Sequence, residues 1–123
     1  MPNPRHALGE RAEAVVAAWL VTRGWSIHAR RWRCAEGELD IVALDPCRTL
    51  VAVEVKLRRT ARSGLAVESL GPDRLRRLRS ALGRFVVEER AQQVNGLRID
   101  MVAVQAASGG QWRLTHHRAV DAW

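Results

Sequence analysis

Apolar residues recur along this chain at two different periods, and the switches between them mark out its elements. From residue 9 to 23, Ala12, Val15, Val16, Trp19 and Leu20 form one stripe at helical spacing, and Gly24 after Arg23 supplies a C-terminal stop. Glu13 lies at the edge of that stripe, where it can reach over a sheet the helix covers; Glu10 lies nearly opposite and is expected to face water. Trp25 to Trp32 reads as a strand of mixed polarity. Gly37 opens the next, Glu38 to Leu44, in which period two puts Glu38, Asp40, Val42 and Leu44 on one face. Asp45-Pro46-Cys47-Arg48 is a turn. Leu50 to Leu57 follows as a buried strand, six of its eight residues apolar and three of them valine, and completes a hairpin. After a loop over 58–71, Pro72 at a first helical position starts a second helix with the stripe Leu75, Leu78, Leu82, Phe85 and Val86. Asn95-Gly96 precedes the strand Leu97 to Val104, and Ser108-Gly109-Gly110 precedes a short edge strand, Gln111 to His117. The order αβββαββ predicts an α/β domain with a mixed central sheet flanked by helices, spanning 1–123 with 1–8 as a flexible N-terminal tail.

Two charges interrupt the most apolar strand. Glu54 and Lys56 are two residues apart, so they share a face, and a charge inside a strand is costly unless paired, hydrogen-bonded or bound to a metal. Lys56 is the only lysine among twenty basic residues, which suggests that its compact ammonium is wanted there. Taken alone the pair serves equally as an ion pair on a sheet surface. With Asp40 on the hairpin partner and Glu13 on the covering helix, however, three carboxylates can converge beside the lysine. Crowded carboxylates repel unless divalent cations lie between them, and Mg2+ or Mn2+ takes such hard oxygen ligands while keeping several waters.

Charge extends the picture. The formal net charge is +7 and the pI about 11.3, carried almost wholly by arginine, whose planar donor fork suits phosphate. From Lys56 to Arg84 nine basic residues face two acidic ones, Glu68 and Asp73, which makes Arg58, Arg59, Arg62, Arg74 and Arg77 candidate phosphate contacts. Cys34 and Cys47 lie in no zinc-type spacing and are expected as free thiols in a reducing cytoplasm. No stretch has the length to span a membrane, and the first residues lack the apolar core of a signal peptide. His28, His116 and His117 are weak metal candidates, since surface or packing roles are commoner; Trp25, Trp32 and Trp112 could stack on bases, but pack in cores more often.

Asp40, thirteen intervening residues and then Glu54-Val55-Lys56 resemble the PD-(D/E)xK nuclease signature, with Leu39 in place of its proline. Glu13, followed by Leu20 and Gly24, resembles the first helix of archaeal Holliday-junction resolvases of that superfamily. Over nearly the whole chain the sequence is similar to the YraN-like family of small bacterial nuclease-fold proteins. The shared blocks are Glu13 to Gly24, Gly37 to Val42, Val53 to Lys56 with Arg58, and Arg98 to Val102. This resemblance implies a restriction-endonuclease-like fold and a metal-dependent nuclease role. It implies Asp40 and Glu54 as ligands of Mg2+ or Mn2+, helped by the Val55 carbonyl, with Glu13 acting through water or at a second metal position. Lys56 would contact the attacking water or the phosphate. Glu38 and Asp100 match positions of the family: Glu38 either flanks the site or caps its strand and pairs with an arginine, and Asp100 either has a role at the site or forms a salt bridge with Arg98 or another arginine. Two departures, Arg31 where the family often has asparagine and Arg74 where it has lysine, bear on substrate preference.

The expected function is therefore hydrolysis of DNA phosphodiester bonds, with branched or otherwise non-B-form DNA as a candidate substrate and a homodimer as the form that would match a two-fold symmetric junction. A nucleic-acid-binding protein on a nuclease scaffold, with cleavage dormant or dependent on a partner, is the alternative. A purely structural module would require the strand charges to be accidental.

Overall fold

A computed structural model of the protein describes residues 4–58, 70–91 and 93–121. Its elements are α1 (Pro4–Thr22), β1 (Ser26–Cys34), β2 (Gly37–Leu44), β3 (Thr49–Arg58), α2 (Pro72–Glu88), β4 (Gly96–Ala106) and β5 (Trp112–His117), with a 3-10 turn at Ser108–Gly110. This is the predicted αβββαββ order, a mixed sheet flanked by two helices in a restriction-endonuclease-like arrangement. The helix starts at Pro4 rather than at Gly9, so most of the stretch expected as an N-terminal tail is helical; proline suits a first helical position. Gly24 ends it as predicted, at φ 87°, with its N–H on Val21 O and the Trp25 N–H on Leu20 O. Among the described residues no helix is long and apolar enough to cross a membrane.

The five strands lie side by side in sequence order. β1, β2 and β3 form an antiparallel meander, β3 and β4 run parallel around the α2 crossover, and β5 returns antiparallel to β4. Strand alternation sorts the apolar residues onto two faces. Val51 and Val53 of β3 and Val102 and Val104 of β4 pack under Ala12, Val16 and Leu20 of α1. Leu50, Ala52 and Ile99 pack under Leu78, Leu82 and Phe85 of α2. Glu54 and Lys56 continue the α2-facing row of β3, where that row leaves the core and becomes half-buried.

One buried polar cluster ties the α1 face together. Asp100 is fully buried on β4, opposite Val53. It accepts two hydrogen bonds from Arg98 (2.8 and 3.0 Å), one from the Ala119 N–H, and lies 2.9 Å from His116 Nε2. Arg98 also reaches Asp45, whose other oxygen accepts the Cys47 and Thr49 N–H groups and so closes the β2–β3 turn. His116 lies with its ring centroid 5.8 Å from Trp19 and 5.6 Å from Trp25. The pairing of Asp100 with Arg98 was one of the expected outcomes, and the packing role for His116 likewise. Burial raises the Asp100 pKa, but the bonds from His116, Arg98 and the Ala119 N–H outweigh it and hold the carboxyl at about 2.

A carboxyl held below its ordinary 3.8 stabilises the fold above about pH 4 and loses that contribution as pH falls toward 2. Asp100→Asn, which leaves Arg98 with a weaker acceptor, is expected to cost about 3–5 kcal/mol in urea denaturation at neutral pH. A cost under about 1 kcal/mol would contradict this account of the cluster.

Candidate functional site

The site forms where β2 and β3 part. Their ladder runs only from Leu44↔Leu50 to Ile41↔Val53. Continued by two residues, it would place Leu39 opposite Val55. Instead the Val55 N–H donates to Asp40 Oδ2 at 2.9 Å, so a side chain replaces the neighbouring strand. The N–H and C=O of one strand residue point to the same side, so the Val55 carbonyl opens into the same gap.

The alternation of β2 breaks here. Val42 and Leu44 share a face as predicted, the one that packs toward α2, but Leu39 joins them while Ile41 packs toward α1. The predicted single face of Glu38, Asp40, Val42 and Leu44 therefore does not hold through Asp40. Across from Asp40 on β1, between the Arg30↔Ile41 and Trp32↔Leu39 pairs, Arg31 adopts φ 50°, a left-handed conformation that costs a non-glycine residue about 1–2 kcal/mol. Asparagine tolerates that region better than arginine, which gives a backbone reason for the asparagine that the family resemblance places at this position.

Asp40 and Glu54 meet across the gap. Burial, then a hydrogen bond and repulsion from Glu54, push the Asp40 carboxyl up to about 8, against the opposing pull of the Val55 N–H and Arg74. Two carboxyls thus share a place that favours a bound proton or cation over two free charges. Glu13 belongs to the same field: burial and Asp40 raise its pKa, Arg31 lowers it, and Glu38 adds to the rise. Asp40 is thus the shared neighbour of two other carboxylates, Glu54 and Glu13, which line separate openings on the α2 and α1 sides. Among the described residues, however, no group of three or more histidine, cysteine, aspartate or glutamate side chains is arranged to hold one ion. The groups that could hold a cation directly are Asp40, Glu54 and the Val55 carbonyl, hard oxygens of the kind that suit an ion retaining several waters.

Two openings flank this centre. On the α2 side a cleft of about 320 Å³ is lined by Glu54, Val55, Lys56, Leu70, Arg74 and Met101, with Arg74 Nη2 donating to Glu54 Oε2 at 2.9 Å. On the α1 side a cleft of about 230 Å³ is lined by Glu10, Glu13, Arg31, Arg33 and Glu38, among others. There Arg31 bridges Glu10 at 2.8 Å and Glu13 at 3.1 Å, while Arg33 pairs with Glu38 at 3.2 Å. Glu10, expected to face water, instead shares Arg31 with Glu13; their i,i+3 spacing on one helix was the signal for it. The arginine partner foreseen for Glu38 is Arg33.

The basic residues divide. Arg74 rims the Glu54 cleft, Arg77 is exposed on the same helix, and Arg58 ends β3 half-buried; Arg59 and Arg62 lie outside the described residues. Three of the described tryptophans make packing contacts. Trp25 is buried, Trp32 stacks edge-on to Phe85 with ring centroids 5.2 Å apart, and Trp112 lies under the Arg11 guanidinium.

A sequence profile of the uncharacterised protein family UPF0102 matches residues 12–104, which hold every predicted site residue. The chain belongs to that family, the YraN-like group whose motif blocks it carries. A UPF0102 protein of Pseudarthrobacter chlorophenolicus is 40% identical over 116 residues, covering 94% of this chain and 86% of its own length. One from Beutenbergia cavernae is 40% identical over 94% of this chain and 97% of its own. UPF0102 protein tll1737 of Thermosynechococcus vestitus is 39% identical over 94% and 92%.

Because folded Asp40 keeps its proton up to about pH 8, far above the ordinary 3.8, protonation there favours the folded state. Its stabilising contribution is complete below about pH 4 and is lost as pH rises through about 8. Asp40→Asn keeps an acceptor for the Val55 N–H and removes the titration. The wild-type melting temperature is expected to decline between about pH 5 and about pH 9 more steeply than that of the variant. Parallel curves would contradict the assignment.

Proposed function

We propose that the chain is a divalent-metal-dependent phosphodiesterase acting on DNA, an endonuclease for which branched or non-B-form DNA is the candidate substrate. The observation that carries this reading is the meeting of Asp40 and Glu54 in the β2–β3 gap, with Lys56 two residues on, beside an arginine-lined cleft. The donor set fits Mg2+ or Mn2+: two carboxyls, one of them unwilling to ionise without a counter-charge, and a backbone carbonyl, all hard oxygens. Bound there, the ion would polarise the scissile phosphate and acidify a water for attack.

The protein's own groups supply the rest. The Val55 N–H fixes one Asp40 oxygen, and Glu54 lies beside the same carboxyl. Lys56 lines the same cleft as Glu54, where its ammonium can donate to a phosphoryl oxygen as negative charge builds on it, or orient the attacking water. Arg74 and Arg77 lie one helical turn apart on α2 and can hold flanking phosphates as paired donor forks. Glu13 acts from the α1 side, through water or at a second metal position.

Purified protein with Mg2+ or Mn2+ is expected to cleave at least one of single-stranded, duplex and four-way-junction DNA, and Lys56→Ala to lower the rate about a hundredfold or more. Absence of cleavage on all three, or a Lys56→Ala variant as fast as wild type, sinks the catalytic reading. A DNA-binding scaffold without turnover would then remain if Asp40→Asn binds DNA as wild type does, with affinity falling steeply with salt.

A further inference from the structure

The hydrolytic reading leaves one contact in its own site unused. Arg74 Nη2 donates to Glu54 Oε2 at 2.9 Å, so a proposed metal ligand is already held by a cation. The Glu54 side chain is 11% exposed and that of Arg74 38%, which places the guanidinium as a cover over the carboxylate with water on its outer side. The neighbouring acid on α2, Asp73, pairs with Arg76 at 2.9 Å, so it does not compete for Arg74. A guanidinium cannot shed its charge at ordinary pH. When a divalent ion arrives, Arg74 must therefore either share Glu54 with it or leave.

Sharing is unfavourable, because a dication and a guanidinium on one carboxylate repel each other in a cleft only partly screened by water. Leaving is easy, because Arg74 is on the rim and its long side chain can swing outward. Arg77 lies three residues further along the helix and is exposed, so a released Arg74 gains a neighbour with which to grip a phosphate.

We propose that Arg74 is an exchangeable counter-cation: it holds Glu54 in the metal-free protein, and a divalent ion bound by Asp40 and Glu54 displaces it onto the phosphate backbone of the nucleic acid. The proposal rests on the metal-site reading above and adds regulation to it. Metal and nucleic acid then bind with positive coupling, each strengthening the other by the same factor. Arg74 is in this sense a coupling residue, and its arginine identity supplies a phosphate fork that a lysine would not.

The test measures Mn2+ binding by calorimetry to wild type, Arg74→Gln and Asp40→Asn, each alone and with a short phosphorothioate duplex. Arg74→Gln is expected to bind Mn2+ alone about tenfold more tightly than wild type, because the competing cation is gone. Mn2+ is expected to strengthen duplex binding by wild type and to have little effect on that of Arg74→Gln. Equal or weaker Mn2+ binding by Arg74→Gln would show that Arg74 positions Glu54 rather than competing for it, which overturns the exchange while leaving the metal site standing. If Asp40→Asn binds Mn2+ as wild type does, the metal-site reading fails and the exchange with it. A second measurement needs no variant: on adding Mg2+ to the wild-type protein, the Arg74 Nε–H resonance should move to the position of a free arginine. If it stays in place at saturating Mg2+, the exchange is refuted.

Discussion

One hydrogen bond sets the geometry of the site: the Val55 N–H given to the Asp40 carboxylate. Up to Ile41 and Val53 the two strands satisfy each other's backbone. Beyond that pair they diverge, and an unpaired N–H in a partly buried gap would cost about 1–3 kcal/mol. Asp40 meets that need with a side chain, and in doing so is drawn into a space where its charge is poorly solvated. Beyond the parting, Glu54, Val55 and Lys56 line the cleft on the α2 side. Backbone satisfaction and the approach of Asp40 to Glu54 therefore go together with one departure from ladder pairing.

Asp40 and Asp100 show how little residue type alone decides. Both are aspartates in strands of one sheet, and burial raises the pKa of each. Asp100 receives donors from Arg98, His116 and Ala119 and ends at about 2, a fixed anion that locks β4 to β5 and to the β2–β3 turn. Asp40 faces another carboxyl and ends at about 8. The first arrangement is internally neutralised and fits a structural role. The second has the Arg74 guanidinium on Glu54 and still favours a bound proton on Asp40; the proposed divalent cation would add positive charge there. Around Asp40 the arginines stand in two places, Arg31 on Glu10 and Glu13 and Arg74 on Glu54, each holding an acid at the border of the centre.

Much of this was legible in the sequence because it follows from local periods. The α1 stripe, the alternation of β3 and the Pro72 start of α2 predict the elements, and the spacing of Asp40, Glu54 and Lys56 predicts their meeting across a hairpin. What was not legible depends on departures from period. The break at Asp40 arises where β2 leaves β3, with Arg31 in a left-handed conformation opposite, and no residue pattern announces either. Glu10 read as solvent-facing because a helical wheel measures direction from the core stripe, whereas its partner comes from the edge strand β1. The Arg74–Glu54 pair joins residues twenty apart through the packing of α2 on the sheet, which composition could suggest only as a basic surface.

Under the proposed function, Asp40, Glu54 and the Val55 carbonyl would together take a divalent cation. Backbone amide NMR during titration with substoichiometric Mn2+ tests it most directly, because the paramagnetic ion broadens only nearby amides. The amides of Asp40, Val55 and Lys56 are expected to vanish first, and Asp40→Asn to abolish the effect. Broadening centred instead on the exposed acids Glu36 and Glu88, with Val55 and Lys56 unaffected, would contradict it.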